Sequence, residues 1–305
     1  MKCLLSGASG LLGSAIRSSL VASGAGVLQL VRRPPTSPQS SPAQMQWNPS
    51  TDPPSSNVDA LSGLSAAIHL SGANVAAHRW TSAYRREIWT SRIDSTRALC
   101  RLLAGLPQPP KALLVASATG FYGNRGDELL DEDSSPGSGF LADLCREWEQ
   151  AARPAIDAGI RVTHLRFGVV LSGRGGALAR MLPVFRIGMG GRLSSGRQAM
   201  SWVHLDDAVA AVRFILDEAT PPLTGPVNIT SPHPVTNAEF TRALAAQLHR
   251  PAIMPVPAFV LRLMLGSMAD EALLSSARAV PKRLTQAGFR FKRATIDEAL
   301  AASLG

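Results

Sequence analysis

Three glycines spaced three apart, Gly7, Gly10 and Gly13, carry the first chemistry legible in this chain. They stand in Gly7-Ala8-Ser9-Gly10-Leu11-Leu12-Gly13, directly after the short apolar run Lys2-Cys3-Leu4-Leu5-Ser6. A helical pattern follows at once, with Leu12, Ile16 and Leu20 on one face. The stretch reads as strand, tight turn and helix, and its chemistry is the capture of a pyrophosphate. Gly7 permits the turn, Gly10 lets the backbone approach the phosphates, and Gly13 lets the helix pack close to the strand. Free N–H groups and the positive dipole end at the helix start complete an anion site. The spacing is Gly-x-x-Gly-x-x-Gly, so the place between strand and helix carries the reading more than the glycines do. Ser9, Leu11 and Leu12 share the turn and are counted with it as cofactor-binding positions.

The elements that must position this turn can be followed along the chain. A second strand, Gly26 to Val31, ends at Arg32-Arg33. In a dinucleotide fold the end of that strand reaches the adenosine ribose. An acidic residue there would repel a 2′-phosphate and arginines favour it, so NADP(H) is expected over NAD(H). Leu64 to Leu70 is a buried strand followed by Ser71-Gly72, small residues against which a cofactor can lie. A helix from about 83 to 104 comes next, then the strand from Lys111 to Ala116 and the small, hydroxyl-rich Ser117-Ala118-Thr119-Gly120. A helix over 140–158 precedes the strand from Arg161 to Phe167, which ends in Gly168. Continuous apolar strands alternating with helices predict an α/β, Rossmann-like doubly wound parallel sheet. Ligands of such sheets bind at the strands' C-terminal ends. The glycine turn, Arg32, Ser71-Gly72, Ser117 and Phe167-Gly168 all fall there.

Other segments are less regular. Pro34 to Asn57 is rich in Pro, Ser and Gln and reads as a surface excursion without its own core. The acidic loop Asp127–Asp133 reads as a solvated surface. From about residue 171 the chain turns irregular and mostly helical. Asp206-Asp207 is expected to cap a helix reaching about Glu218, with further helices around 258–265 and 270–279 and a tail helix from about Thr295. The expected organisation is an NADP-binding domain, 1–170, and a smaller substrate or lid subdomain, 171–305, partly interleaved with the sheet.

Composition bounds what this chain does. Its 305 residues are 45% hydrophobic and 17% charged, as in a globular protein with a proper core. The net charge of +9 comes from arginines spread singly along the chain, with no basic block interleaved with aromatics. That argues against nucleic acid and for a diffuse field that favours an anionic small molecule. Cys3, Cys100 and Cys145 read as buried small hydrophobes in a reducing compartment, and no metal-ligand spacing is present. No stretch reaches transmembrane length, and the N-terminus is occupied by the nucleotide turn, so no signal peptide and no membrane partner are expected and a cytoplasmic location follows. Oligomeric state is not legible.

Taken together, these residues resemble the extended short-chain dehydrogenase/reductase superfamily, and more closely its atypical NADP(H)-binding, epimerase-like branch. The resemblance rests on the glycine turn, His69-Leu70-Ser71-Gly72-Ala73-Asn74, and Trp80-Thr81 followed by Ser91-Arg92 and Thr96. It continues through Phe121-Tyr122-Gly123, Trp148-Glu149, Arg166-Phe167-Gly168, Ser201-Trp202-Val203-His204-Leu205-Asp206-Asp207, Asn237-Ala238-Glu239-Phe240 and Gly288-Phe289. Ser267 is a departure, because the branch usually carries a glutamate there. The resemblance implies a Rossmann fold and places Leu70, Arg166, Phe167 and Gly168 beside the cofactor.

It also exposes a gap. The superfamily's acid/base set is a Ser or Thr, a Tyr-x-x-x-Lys and often an Asn, the lysine lowering the tyrosine's pKa. Here the equivalent helix reads Phe140-Leu141-Ala142-Asp143-Leu144-Cys145, without tyrosine or lysine. Alignment puts Ala118 at the Ser/Thr position and Arg92 at the Asn position. The arginine that nucleotide-sugar enzymes carry before the histidine matching His204 is Met200 here, with Arg197 nearby but shifted. The remaining candidates for proton transfer are Ser117, Tyr122 and His204, and those for a substrate pocket are Trp80, Arg92, Arg197 and Trp202. Each also has a plain packing reading. Two functions stand: an NADP(H)-dependent, epimerase-like oxidoreductase of a small molecule with a non-standard proton donor, or an NADPH-binding regulatory protein that has lost catalysis.

Overall fold

The computed structural model describes residues 1–33, 43–49 and 58–305. Its strands in chain order are β1 (Lys2–Ser6), β2 (Gly26–Val31), β3 (Gln44–Gln46), β4 (Ala66–His69), β5 (Ala112–Ala118), β6 (Leu129–Leu130), β7 (Arg161–Phe167), β8 (Val169–Leu171), β9 (Ala199–Met200), β10 (Trp202–His204), β11 (Gly225–Ile229), β12 (Val235–Thr236) and β13 (Arg278–Ala279). The helices are α1 (Leu11–Ala22), α2 (Ser82–Ala104), α3 (Phe140–Gln150), α4 (Arg153–Asp157), α5 (Gly176–Arg186), α6 (Leu205–Leu216), α7 (Asn237–Leu248), α8 (Ala258–Leu265), α9 (Lys282–Gln286) and α10 (Ile296–Leu304).

Seven strands form one parallel sheet in the order β11-β7-β5-β4-β1-β2-β3. The strands are apolar on both sides because both faces are covered. Leu4, Leu28, Leu113 and Val162 pack under α2, α3 and α4 with Ile88, Leu99 and Trp148. Cys3, Leu5 and Leu114 point the other way and meet Ile16 and Leu20 of α1 and Val212 and Ile215 of α6. Each such side chain, fully buried, contributes about 1.5–3 kcal/mol. The chain runs from β1 outward to β2 on one side and β4 on the other, so the order reverses between β1 and β4. That reversal is the crevice where open α/β sheets take their ligands.

Several expectations are corrected. Within the expected excursion, residues 34–42 and 50–57 lie outside the described residues, but Gln44–Gln46 pairs with β2 as the edge strand, and Met45 and Trp47 are buried in the main core. The helix expected over 140–158 is two, broken after Gln150 just ahead of Pro154. The residues expected as a helix over 270–279 form one π-helical turn, Ala269–Leu273, and then β13. β11 returns to the large sheet beside β7, so a cut at residue 170 would divide one sheet. Asp206 and Asp207 do not cap α6; His204 does, its Nδ1 accepting the Asp206 N–H at 3.2 Å. Asp207 instead is buried and accepts the backbone N–H groups of Lys292 and Arg293 at 2.9 and 2.8 Å.

The acidic loop is a solvated surface only in part: Asp127, Glu128 and Asp133 are exposed, but its other acidic groups are held by the protein. Glu132 is buried and accepts the backbone N–H of Asn228 at 3.0 Å. Asp131 and Asp133 both hold Lys282 of α9, at 2.8 and 2.9 Å. The loop therefore fastens the C-terminal part to the far edge of the sheet.

Candidate functional site

The glycine turn sits at the crevice between β1 and β4. Gly7 has φ +73°, and a Cβ there would lie 2.8 Å from the Leu70 carbonyl carbon and oxygen. A Cβ on Gly13 would lie 2.1 Å from the Gly7 carbonyl oxygen, so the first turn of α1 can close onto the strand end only without a side chain. Gly10 differs. A Cβ there meets only the Gly7 oxygen, at an ordinary 3.5 Å. Nothing among the described residues requires glycine at that position, and an incoming ligand is what would. α1 starts at Gly10 with no side-chain cap and no acidic residue in its first turn, which leaves its N–H groups for an anion. Ser9 and Gly10 are exposed, and Leu11 and Leu12 are half-buried. Leu11 packs against Gly175, whose ideal Cβ would meet it at 3.4 Å. Arg32 and Arg33 are exposed just beyond β2. The turn fits the pyrophosphate of a dinucleotide.

The second side of the crevice is held by His69, at the end of β4. Its Nδ1 lies 2.6 Å from Ser6 Oγ and its Nε2 3.2 Å from Ser95 Oγ, tying β1, β4 and α2 together. Burial pulls its pKa from 6.5 down to about 4. The folded protein thus keeps His69 neutral where the unfolded chain takes up a proton. Stability is full above about 6.5 and is lost as pH falls toward 4, by up to about 3 kcal/mol. Thermal midpoints measured across that range are expected to drop with acid. His69→Asn should flatten the dependence, and an unchanged slope would place its origin elsewhere.

Behind the end of β5 lies a buried polar network that the sequence did not show. Ser117 Oγ donates to Glu149 Oε1 at 2.7 Å. Arg166 grips the same carboxylate with two nitrogens, at 2.8 and 2.9 Å. Its third nitrogen donates to the Tyr122 hydroxyl at 3.1 Å, and Tyr122 donates to Asn228 Oδ1 at 2.8 Å. The guanidinium also lies 3.5 Å from the centre of the Phe121 ring.

This network corrects three expectations. Tyr122 is fully buried, with its hydroxyl spent between Arg166 and Asn228, and burial raises its pKa against the pull of Arg166. Ser117 is buried and committed to Glu149. Arg166 is engaged by Glu149 and lies against the aromatic rings. Gly168 is glycine for a reason internal to the protein, since a Cβ would lie 2.7 Å from the Ser201 carbonyl oxygen. Phe167 is half-buried and packs against both faces of the core.

The expected substrate pocket is not assembled. Trp80 is buried, its indole N–H bonding the Val75 carbonyl at 2.8 Å and its ring edge-on to Phe140. Trp202 is fully buried and donates to the His233 carbonyl at 3.0 Å. Arg92 meets neither an anion nor the acidic loop. It bonds the carbonyls of Ile88 and Ala73 at 3.1 and 2.9 Å, lies over Trp148, and packs so close to Gly72 that a Cβ there would sit 3.0 Å from it. Arg92 therefore shapes the Ser71-Gly72-Ala73 turn. Arg197 is exposed on a separate surface cavity beside Asp127 and Arg262. His204 is buried as the α6 cap, and burial lowers its pKa. The three cysteines are buried and free, with pKa values pushed up to about 12 by burial.

One carboxylate went unnoticed in the sequence. Glu271 Oε2 accepts the Leu141 N–H at 2.8 Å and stands over Gly139, at the start of the helix that elsewhere in the superfamily carries the tyrosine. A cavity of about 1760 Å³ begins at Ser9 and Leu11 but runs between α1 and α6 toward Met1 and Lys111. Its far end lies at the N-terminal ends of the strands, away from the crevice.

A doubly wound parallel sheet with an uncapped glycine turn at its point of reversal defines a Rossmann-like protein of the NAD(P)-binding class. The chain belongs to the NAD dependent epimerase/dehydratase family, whose profile matches residues 3–229. Residues 256–303 match a domain of unknown function, DUF1731. Epimerase family protein Mb2239 of Mycobacterium bovis is 45% identical over 97% of this chain and 95% of its own. Epimerase family protein YfhF of Bacillus subtilis is 33% identical over 99% and 97%. Among solved structures, the human epimerase family protein SDR39U1 (isoform 2), crystallised with NADPH, superposes with a TM-score of 0.88 at 31% identity, over 99% of each chain.

Proposed function

We propose that this chain binds NADP(H) along the C-terminal edge of its sheet and holds it without the superfamily's tyrosine–lysine proton relay. The pyrophosphate lies on the uncapped start of α1, with Gly10 open to it, and the 2′-phosphate lies against Arg32 and Arg33. The observation that carries the reading is the contrast between Gly13, glycine because the protein has no room, and Gly10, glycine with room to spare. The NADPH bound to the human relative supports the same cofactor. Ser117, Tyr122 and His204 are all committed to internal bonds. A nucleotide-responsive protein therefore fits these residues better than an epimerase working through any of the three.

Titration of NADPH and NADH by calorimetry tests the proposal. Wild type is expected to prefer NADPH by roughly a hundredfold, consistent with the strength of charge-assisted bonds to a phosphate. Arg32→Ala should remove most of that preference while leaving NADH affinity unchanged. Equal affinities in wild type would sink the 2′-phosphate assignment, and no binding of either would sink the proposal.

A further inference from the structure

α8 is apolar except for Arg262. Leu261 faces inward and is buried, while Phe259, Leu263 and Met264 are 69%, 73% and 65% exposed. A helix of that composition ordinarily lies inside a protein, yet the outer face of this one is bare. The bare surface continues beyond the helix. Met254 and Val256 donate to the carbonyls of Gly190 and Arg192, at 3.2 and 2.9 Å, which binds the segment before α8 to the turn after α5. Ile253 and Met254 are exposed on the first, and Ile187 and Met189 on the second. Seven of the twelve large exposed hydrophobic residues of the described chain thus lie on α8 and on the two paired segments that precede it, a concentration that marks an interaction surface.

Arginines predominate around it, although Asp127 shares a cavity with Ala258 and Arg262 of α8. Segments 180–192 and 242–265 hold Arg180, Arg186, Arg192, Arg242, Arg250 and Arg262 and no aspartate or glutamate. Neighbouring carboxylates are already engaged: Asp270 pairs with Arg262 at 2.9 Å, and Glu239 closes the capping box of α7. Beside Ile253 a cavity of about 810 Å³ is lined by Arg192, Arg242 and Arg250, with alanines of α7 as its apolar wall. Bare apolar side chains ringed by arginines, next to a basic recess, match the boundary of an anionic bilayer in both charge and layering. A second copy of the same face would oppose arginine to arginine.

We propose that this face docks on an anionic lipid bilayer. Phe259, Leu263 and Met264 enter the acyl boundary, the arginines meet headgroup phosphates, and the recess beside Ile253 receives one headgroup. The contact is with the surface only, because no helix among the described residues is long and apolar enough to cross a membrane.

Co-sedimentation of the full chain with vesicles tests this. The protein is expected to sediment with mixed phosphatidylglycerol–phosphatidylcholine vesicles, to stay in solution with phosphatidylcholine alone, and to be released by high salt. Phe259→Ser combined with Leu263→Ser should weaken binding roughly a hundredfold with an unchanged thermal midpoint, since neither side chain packs inside. Arg192→Glu with Arg250→Glu should abolish the preference for anionic vesicles. Failure to sediment with anionic vesicles, or equal binding by the serine variant, overturns the proposal. So does a dimer in light scattering that the serine variant dissociates, or retention on polyglutamate without vesicle binding; these outcomes assign the face to a second copy or to an acidic protein.

Discussion

Glu149→Ala is expected to cost about 3–5 kcal/mol of folding stability, a large share of what a domain of this kind possesses. The Arg166 side chain is 4% exposed, and Glu149 supplies both of its short ionic bonds. Truncating the carboxylate leaves a guanidinium buried against Phe121 and Tyr122 without a counter-charge, and strips Ser117 of its acceptor. The pair itself is worth far less than its breakage, because both ions are desolvated in forming it. Glu149→Leu combined with Arg166→Met should therefore recover most of the loss. Denaturant unfolding of wild type and the two variants reads the difference. A single alanine variant within about 1 kcal/mol of wild type would mean that water screens the pair as it does at a surface.

The second large effect separates two glycines three residues apart. Gly13→Ala should destabilise the protein by about 3 kcal/mol or more, since its Cβ would lie 2.1 Å from a backbone oxygen that cannot rotate away. Gly10→Ala should leave the thermal midpoint within a few degrees of wild type, because its φ of −74° suits any residue and its Cβ meets nothing closer than 3.5 Å. Yet it should weaken NADPH binding by at least roughly tenfold, about 1.4 kcal/mol. Melting curves and NADPH titrations on the same two proteins check both halves. An unaffected affinity in Gly10→Ala would remove the pyrophosphate from that position.

The fold and its glycine turn were legible because their signals are local. A strand, three glycines and an amphipathic helix stand within two dozen residues, and each names its neighbour. What was not legible is held by partners far apart in sequence. Tyr122 finds Asn228, Ser117 finds Glu149, and Glu271 reaches the start of α3. Nothing in the sequence around Tyr122 distinguishes a catalytic phenol from one locked between an arginine and an asparagine. Trp80 and Trp202 were similarly ambiguous until their indole N–H groups were seen to end on backbone carbonyls. Arg92 misled for the opposite reason. Its charge suggested an anion, whereas its work is to brace the Gly72-Ala73 turn through two carbonyls. The acidic loop misled through composition alone, because Glu132 is buried as the acceptor for the backbone of β11.

The late return of β11 has a consequence during synthesis. Its neighbour β7 is complete at Phe167, but the strand that covers it ends only at Ile229. Throughout that interval the nascent chain presents β7 as an open edge, a row of unpaired N–H and C=O groups able to pair with a strand from another chain. Closure of that edge also brings Asn228 to Tyr122 and Glu132, so the same event shields the backbone and completes the buried network. For this protein, elongation speed and chaperone protection matter most between residues 167 and 229.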